Sequence, residues 1–236
     1  MSDSIVWISG ATRGIGLALA RTAPFPNARI INLSRRAHPD FESVQFDLTQ
    51  PATYEAVRTH FATELAGFRG SRAIFIHSAR YSATPGFVFD LDAAEYCAAI
   101  QANAVAPLVL GRMFLSAVGP DYESGLMLIS SAAANYPVAG CATYCAARAG
   151  VEMWVKAVSA ELKARKPRTW ALAVRPAARD TQLVRALPAE SRQSSGKNEF
   201  ESESACDRAA RDIWAVLPAR AGASVLFFDE VANTQW

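Results

Sequence analysis

The stretch that decides the fold reads IVWISGATRGIG from Ile5 to Gly16. Its apolar start predicts a buried strand, and the glycines that follow predict a tight turn that opens a helix. Glycine lets the backbone approach a phosphate closely, and the free N–H groups of the following helix attract that anion. After a first strand, this turn therefore predicts a dinucleotide site, with an ordinary strand-to-helix turn as the alternative.

The rest of the chain repeats the alternation of strand and helix. Short apolar runs predict strands at 5–9, 29–33, 44–46, 73–77, 126–130, 170–174 and 224–228. Longer stretches between them predict helices at 14–22, 51–65, 93–118, 142–165 and 206–217. Most strand candidates are continuously apolar, which is typical of parallel strands buried on both faces. The predicted fold class is α/β, a Rossmann-type doubly wound parallel sheet, with residues 1–236 forming a single domain.

Composition narrows the class of partner. The chain has 236 residues, 51% of them hydrophobic, and a net charge of +2. Such a balance indicates neither a nucleic-acid partner nor a membrane surface. The four cysteines form no CxxC pair, and we expect no metal site and a reduced compartment. Since no basic, apolar leader precedes the first strand, a cytoplasmic location is the expectation.

One segment departs from the alternating pattern. Residues 188–204 are polar, rich in Ser and Glu, and carry almost no apolar periodicity. Two interpretations stay open: an ordinary surface loop, or a substrate loop that closes over a cleft.

The end of the second predicted strand indicates which dinucleotide is bound. An NAD site usually presents an acid here to the ribose 2′-hydroxyl, but this chain has Arg35 and Arg36. With Arg13 of the glycine turn, they could grip a 2′-phosphate through charge-assisted hydrogen bonds. The prediction is NADP(H), with solvated surface arginines as the alternative.

A second motif, Tyr144-Cys145-Ala146-Ala147-Arg148, carries chemistry. Residues four apart share a helix face, so Tyr144 and Arg148 are expected to lie side by side. A cation beside a phenol stabilises the ionised form of that phenol. Ser131 lies upstream, directly after an apolar run, and is expected at the end of a strand.

Together these residues resemble the short-chain dehydrogenase/reductase family over nearly the whole chain. The turn of Gly10, Gly14 and Gly16 matches the family's TGxxxGxG, with Ser9 in the place of threonine. The resemblance implies a catalytic set of Asn103, Ser131, Tyr144 and Arg148. It also implies cofactor contacts at Gly10, Thr12, Arg13, Gly14, Ile15, Gly16, Arg35, Arg36, Asp47, Leu48, Ser78, Ala79, Pro176 and Thr181.

Within the family, the stretches 86–91, 144–146 and 225–229 are most similar to sepiapterin and benzil reductases. The implied activity is NADPH-dependent reduction of a small ketone, diketone or pterin carbonyl, with Tyr144 as proton donor. The long helices from Ala93 and Ala142 resemble those that pair subunits in this family, which implies a homodimer or homotetramer.

Three positions depart from the family pattern. Arg80 stands where the family has glycine, Ala177 follows Pro176 in the place of glycine, and Arg148 replaces the catalytic lysine. Two alternatives to a reductase therefore stay open. One is a catalytically impaired member that acts as a dinucleotide-binding sensor or scaffold subunit. The other is a lyase, isomerase or epimerase that uses the same cofactor site.

Overall fold

A computed structural model describes residues 2–176, 203–217 and 225–227. Thr181 and residues 188–202 of the predicted substrate loop lie outside the described residues.

The strands form one parallel sheet. They are β1 (Ser4–Ser9), β2 (Arg29–Ser34), β3 (Glu42–Gln45), β4 (Arg72–His77), β5 (Glu123–Ile129), β6 (Thr169–Arg175) and β7 (Val225–Phe227). The order across the seven-stranded sheet is β3-β2-β1-β4-β5-β6-β7, and each neighbouring pair is parallel. The predicted fold class, a doubly wound Rossmann-type α/β sheet, is therefore confirmed.

The helices are α1 (Gly14–Arg21), α2 (Tyr54–Ala66), α3 (Ala93–Ile100), α4 (Ala106–Ala117), α5 (Ala142–Arg165) and α6 (Glu203–Ala215). Short 3₁₀ turns precede α2 at Pro51–Thr53 and α5 at Ala132–Ala134, and a π-helical turn, Gln101–Val105, joins α3 to α4. The predicted helix 142–165 has the observed bounds of α5. The predicted helix 93–118 instead contains the π-turn, and α6 begins within the last residues of the segment predicted as a loop.

Side chains alternate across β1 and place a core on each face of the sheet, as the two-residue period of a strand requires. Ile5 and Trp7 pack with α2, α4 and α5, whereas Val6 and Ile8 pack with α1 and α6. The continuous apolar run of β1 is thus explained, because helices cover both of its faces.

The helical stretch Ala93–Ala117 is long and apolar enough to cross a membrane by length and composition. In the fold it is a core helix, since Ala99, Leu110 and Phe114 are buried. Burial against the sheet accounts for its apolar character.

Candidate active site

The sheet order creates a crevice at the carboxyl ends of β1 and β4. The chain runs outward from β1 to β3 on one side and from β4 to β7 on the other, and ligands of doubly wound sheets bind where this order reverses. The turns after β1, β4, β5 and β6 therefore meet at one edge. Residues predicted from separate parts of the sequence come together there.

The glycine turn between β1 and α1 requires glycine at each of its motif positions. Gly10 and Gly14 have φ angles of +76° and +57°, which side-chain-bearing residues rarely adopt. A Cβ on Gly16 would lie 2.3 Å from the carbonyl oxygen of Gly10, so α1 begins in direct contact with the turn. Around Gly14, no heavy atom of the described residues lies within 4 Å of the Cβ position.

This open side fits a phosphate group. Arg13 precedes α1 with an exposed, extended backbone and makes no side-chain cap, so it leaves the first-turn N–H groups available. A pyrophosphate binds where backbone amides donate to it, where the positive end of a helix faces it and where no side chain blocks it. Thr12 lies in the same turn, and Ile15 lies in the first turn of α1.

Ser9 ties the glycine turn to the end of β4. Its Oγ accepts hydrogen bonds from the backbone N–H groups of Ser78, at 3.1 Å, and Ala79, at 3.0 Å. The same Oγ lies 3.1 Å from Nδ1 of His77. Since Oγ accepts both backbone hydrogen bonds, its single hydroxyl proton is the one that it donates to Nδ1. Nδ1 is therefore the acceptor, and the neutral His77 ring carries its proton on Nε2.

His77 is fully buried, and burial together with the positive charge of Arg148 lowers its pKa to about 3. Nε2 has no hydrogen-bond partner among the described residues. A neutral His77 cannot serve as a proton donor in the pH range where an ordinary histidine would. It accepts a hydrogen bond from Ser9 instead.

Two residues that were not predicted shape the turn after β2. Asn32, fully buried, donates from Nδ2 to the carbonyl oxygen of Arg36 at 3.0 Å, and Ser34 donates to the same oxygen at 2.5 Å. Arg35 and Arg36 are exposed on this turn. The N–H of Gly10 donates to the carbonyl of Leu33 at 3.0 Å, which places the turn beside the glycine turn at the crevice. A buried asparagine within an apolar strand was the available sequence signal.

Asp47 and Leu48 follow β3 beside this turn. Asp47 accepts from the N–H of Thr49 at 2.8 Å and lies 3.9 Å from Nη1 of Arg35. Leu48 is buried, and its carbonyl accepts from the hydroxyl of Tyr54. The predicted cofactor residues that follow β1, β2 and β3 thus lie at the same edge of the sheet.

Asn103 lies in the π-turn between α3 and α4. Its side chain pairs with the backbone of Tyr81 in both directions, because Oδ1 accepts from the N–H and Nδ2 donates to the carbonyl, each at 3.0 Å. This pair fixes the loop after β4, which includes Ser78, Ala79 and Arg80. A π-turn at such a position is typical of functional sites.

Tyr144 and Arg148 lie on one face of α5, as their spacing predicts. The guanidinium carbon of Arg148 stands 4.9 Å from the centre of the Tyr144 ring, within the range of a cation–π contact. Arg148 is 4% exposed, and its Nη1 donates to the carbonyl of Ile129 at 3.2 Å. Its Nε has no hydrogen-bond partner in the part of the chain that the structure describes.

Ser131 follows β5 at the same edge. Its Oγ accepts from the N–H of Ala133 at 3.3 Å and so caps the short 3₁₀ turn that leads towards α5. Ala133 and Tyr144 belong to one apolar cluster with Cys141, which places the turn of Ser131 against the start of α5. Pro176, directly after β6, ends the described part of this edge.

A buried ion pair that was not predicted lies one helical turn beyond Arg148. Glu152 accepts from Nε and Nη2 of Arg175 at 2.6 and 2.5 Å, and from the hydroxyl of Ser130 at 2.6 Å. Glu152 continues the series Tyr144, Arg148 in steps of four. A charged residue on a helix face that is otherwise buried was the signal for it.

A second cluster of polar side chains lies away from the crevice. Ligand atoms of Glu42, His60 and Glu64 lie within 4.8 Å of one another. Arg29 donates to both carboxylates, with Nη2 at 2.7 Å from Glu42 and 3.1 Å from Glu64. Both acids are thus already paired with a protein cation.

Comparison with known proteins identifies relatives that cover most of the chain. A family model described as short chain dehydrogenase matches residues 4–192. Benzil reductase ((S)-benzoin forming) of Bacillus cereus is 22% identical over 168 residues, which cover 66% of this chain and 68% of that protein. A 3-ketodihydrosphingosine reductase of Yarrowia lipolytica is 25% identical over 174 residues, 66% of this chain and 47% of that protein.

Solved structures share the fold at low sequence identity. A metagenomic short-chain oxidoreductase in complex with NADP is 24% identical, with a TM-score of 0.69 over 97% of this chain and 96% of that one. A 3-oxoacyl-[acyl-carrier protein] reductase of Brucella melitensis is 15% identical, with a TM-score of 0.75 over 99% of this chain and 100% of that one.

Proposed function

The chain belongs to the short-chain dehydrogenase family, and from that premise we propose that it is an NADPH-dependent oxidoreductase that reduces a small ketone, diketone or pterin carbonyl. The observation that carries the proposal is the contact of Tyr144 with the buried Arg148 at the carboxyl edge of the sheet. A proton donor and a fixed cation thus border the same crevice as the glycine turn.

The residues around the crevice fit a dinucleotide. Gly14 leaves room for a phosphate, α1 supplies its amide donors, and Arg13, Arg35 and Arg36 are exposed beside them. The turn after β2 carries two arginines and no ribose-binding acid, and Arg13 of the glycine turn adds a third cation. This charge favours a 2′-phosphate, hence NADP(H) over NAD(H). The NADP complex of the metagenomic relative supports this choice.

NADPH, when bound, supplies a hydride to the carbonyl carbon of the substrate. Tyr144 donates the proton that the carbonyl oxygen needs, and Ser131 donates a hydrogen bond to the oxygen as negative charge develops on it. Arg148 holds a permanent positive charge against the Tyr144 ring. Because a guanidinium does not release its proton, water must return a proton to Tyr144 after each turnover.

The rim of the crevice favours a substrate with an apolar part. The N–H of Gly86 donates to the carbonyl of Gly140 at 3.0 Å, which holds the loop after β4 beside the start of α5. On this loop the exposed rings of Phe87 and Phe89 stack, with centres 5.9 Å apart and planes at 14°. Exposed stacked rings suit an aromatic ketone or diketone, as does the relation to benzil reductase.

The proposal extends to the domain organisation, the cellular location and the oligomeric state of the protein. We also propose that the chain acts as a single domain in the cytoplasm, as its composition predicts. Val105 and Met153 are large apolar residues exposed on the helical stretches that begin at Ala93 and Ala142. Their exposure supports a homodimer or homotetramer built on these helices.

A second function is favoured by one observation. Arg148 is buried and cannot act as a proton carrier, which suits a member that binds NADPH without efficient turnover and serves as a sensor or scaffold subunit.

NADPH consumption with a panel of aliphatic ketones, aromatic diketones and pterins separates these functions. A reductase consumes NADPH with at least one class, and Arg148→Lys raises the rate because lysine can relay a proton. Tyr122→Phe is the matched control, since Tyr122 precedes β5 at the opposite edge and bonds to Gly119. Tight NADPH binding without turnover in wild type and Arg148→Lys alike would instead favour the sensor.

A further inference from the structure

Glu152 is an acid in the interior of the protein, and each of its bonds leads to the active edge. It is 4% exposed, and its partner Arg175 is 3% exposed. Arg175 donates to both carboxylate oxygens, and Ser130 donates to one of them. The carboxylate therefore holds two strand ends at once, β5 through Ser130 and β6 through Arg175.

The residues that Glu152 holds are direct neighbours of proposed site residues. Ser130 precedes Ser131, and Arg175 precedes Pro176, in a segment whose resemblance to the family implies contact with the nicotinamide. The N–H of Ser130 also donates to the carbonyl of Val174 at 2.7 Å, so the two strand ends are joined laterally as well. Glu152 itself lies on the face of α5 that carries Tyr144 and Arg148.

Stability is a weak reason for such a pair. Removing two charges from water is costly, and well-packed apolar replacements of buried ion pairs are often neutral or stabilising. What a bidentate pair does supply is geometry, since the planar guanidinium and the carboxylate fit in one arrangement. An apolar pair would fill the same space without tying the strand ends to α5 through hydrogen bonds.

We propose that Glu152 is a positioning residue, which with Arg175 and Ser130 holds Ser131 and Pro176 in register with Tyr144. This role rests on the proposed reductase function for its kinetic consequence. Its structural consequence is independent of turnover: the nicotinamide half of the pocket depends on Glu152, whereas the adenine half depends on the glycine turn and Arg36.

The test is the double variant Glu152→Leu/Arg175→Leu, which removes both charges together and so avoids a lone buried ion. Thermal unfolding, the dissociation constants of NADPH and of adenosine 2′,5′-bisphosphate, and kcat are measured. We expect a folded protein that binds the bisphosphate as wild type does, binds NADPH about tenfold more weakly and turns over about 100-fold more slowly, since a misplacement of ~1 Å can cost that much.

A matched control is Arg72→Leu/Glu123→Leu. This pair joins β4 and β5 at their amino ends, with Arg72 Nε 3.2 Å from Glu123, far from the crevice. It should leave NADPH affinity and kcat at wild-type values.

Wild-type NADPH affinity and kcat in the folded Glu152→Leu/Arg175→Leu protein would overturn the positioning role. If that protein does not fold, Glu152→Asp takes its place as the test, because aspartate keeps the negative charge but has a shorter side chain. Wild-type NADPH affinity in Glu152→Asp would also overturn the positioning role. A wild type that reduces nothing would refute the reductase function, and the comparison of NADPH with the bisphosphate would still decide the role of Glu152.

Discussion

Replacing Gly16 by alanine tests the glycine turn as the cofactor cradle. The added Cβ would lie 2.3 Å from the carbonyl oxygen of Gly10 and 2.8 Å from its carbonyl carbon. Ordinary contact needs about 3.4 Å or more, so the groups must separate by roughly 1 Å. Gly10 has little room to retreat, because its own Cβ position is 3.0 Å from Cα of Ala79.

The start of α1 must therefore move away from the turn. Overpacking of this kind costs about 1–3 kcal/mol of unfolding free energy. The moved amides lose hydrogen bonds to the phosphates that are worth about 1.5–3 kcal/mol. Since each 1.4 kcal/mol is a factor of ten, we expect NADPH affinity to fall by about 10- to 100-fold.

Isothermal titration with NADPH and urea denaturation measure the two effects. Gly67→Ala is the control, because Gly67 ends α2 with a φ of −99° and no described heavy atom lies within 4 Å of its Cβ position. It should change neither NADPH affinity nor stability by a comparable amount. Wild-type NADPH affinity in a folded Gly16→Ala protein would refute the placement of the phosphates at this turn.

Three further predictions concern residues around the crevice. Ser9→Ala leaves two backbone N–H groups without their acceptor and should cost about 3 kcal/mol in urea denaturation, whereas Ser9→Thr should cost far less. Burial beside Arg148 lowers the pKa of His77 from 6.5 to about 3, so only the unfolded chain gains a proton as the pH falls below 6.5. Wild type should lose about 1.5 kcal/mol of stability through this group between pH 6.5 and 5, whereas His77→Asn should lack this loss. Equal pH dependence of stability in the two proteins would contradict the burial of a neutral His77. Arg36→Ala should weaken NADPH binding about tenfold or more while NADH binding stays unchanged, and equal loss for both cofactors would contradict the 2′-phosphate assignment.

The fold could be predicted from the sequence because the patterns that indicate its strands and helices are local. Continuous apolar runs mark strands covered on both faces, and β1, β4 and β6 were placed within a residue or two. β5 begins at Glu123, earlier than its apolar run, because Glu123 and Ser124 pair with Arg72 and Ala73 while adding no apolar signal.

The parts of the site whose residues are close in sequence could also be predicted. The spacing of Tyr144 and Arg148 predicts a shared helix face, and the two side chains stack. Contacts made by the strand ends were not predictable, because the elements that meet there are remote along the chain. Ser9 and His77 are 68 residues apart, and Glu152 and Arg175 are 23 apart. Their pairing depends on the strand order, which a single sequence does not state.

We propose that Tyr144 gives the proton in a hydride transfer from NADPH to a carbonyl. The most direct measurement uses NADPH deuterated at the transferable position and follows the label into the alcohol product by mass spectrometry. We expect deuterium on the carbinol carbon with wild type and a rate at least about 100-fold lower with Tyr144→Phe, given what a general acid contributes. Transfer at an undiminished rate with Tyr144→Phe, or no labelled alcohol from any substrate class with wild type, would contradict it.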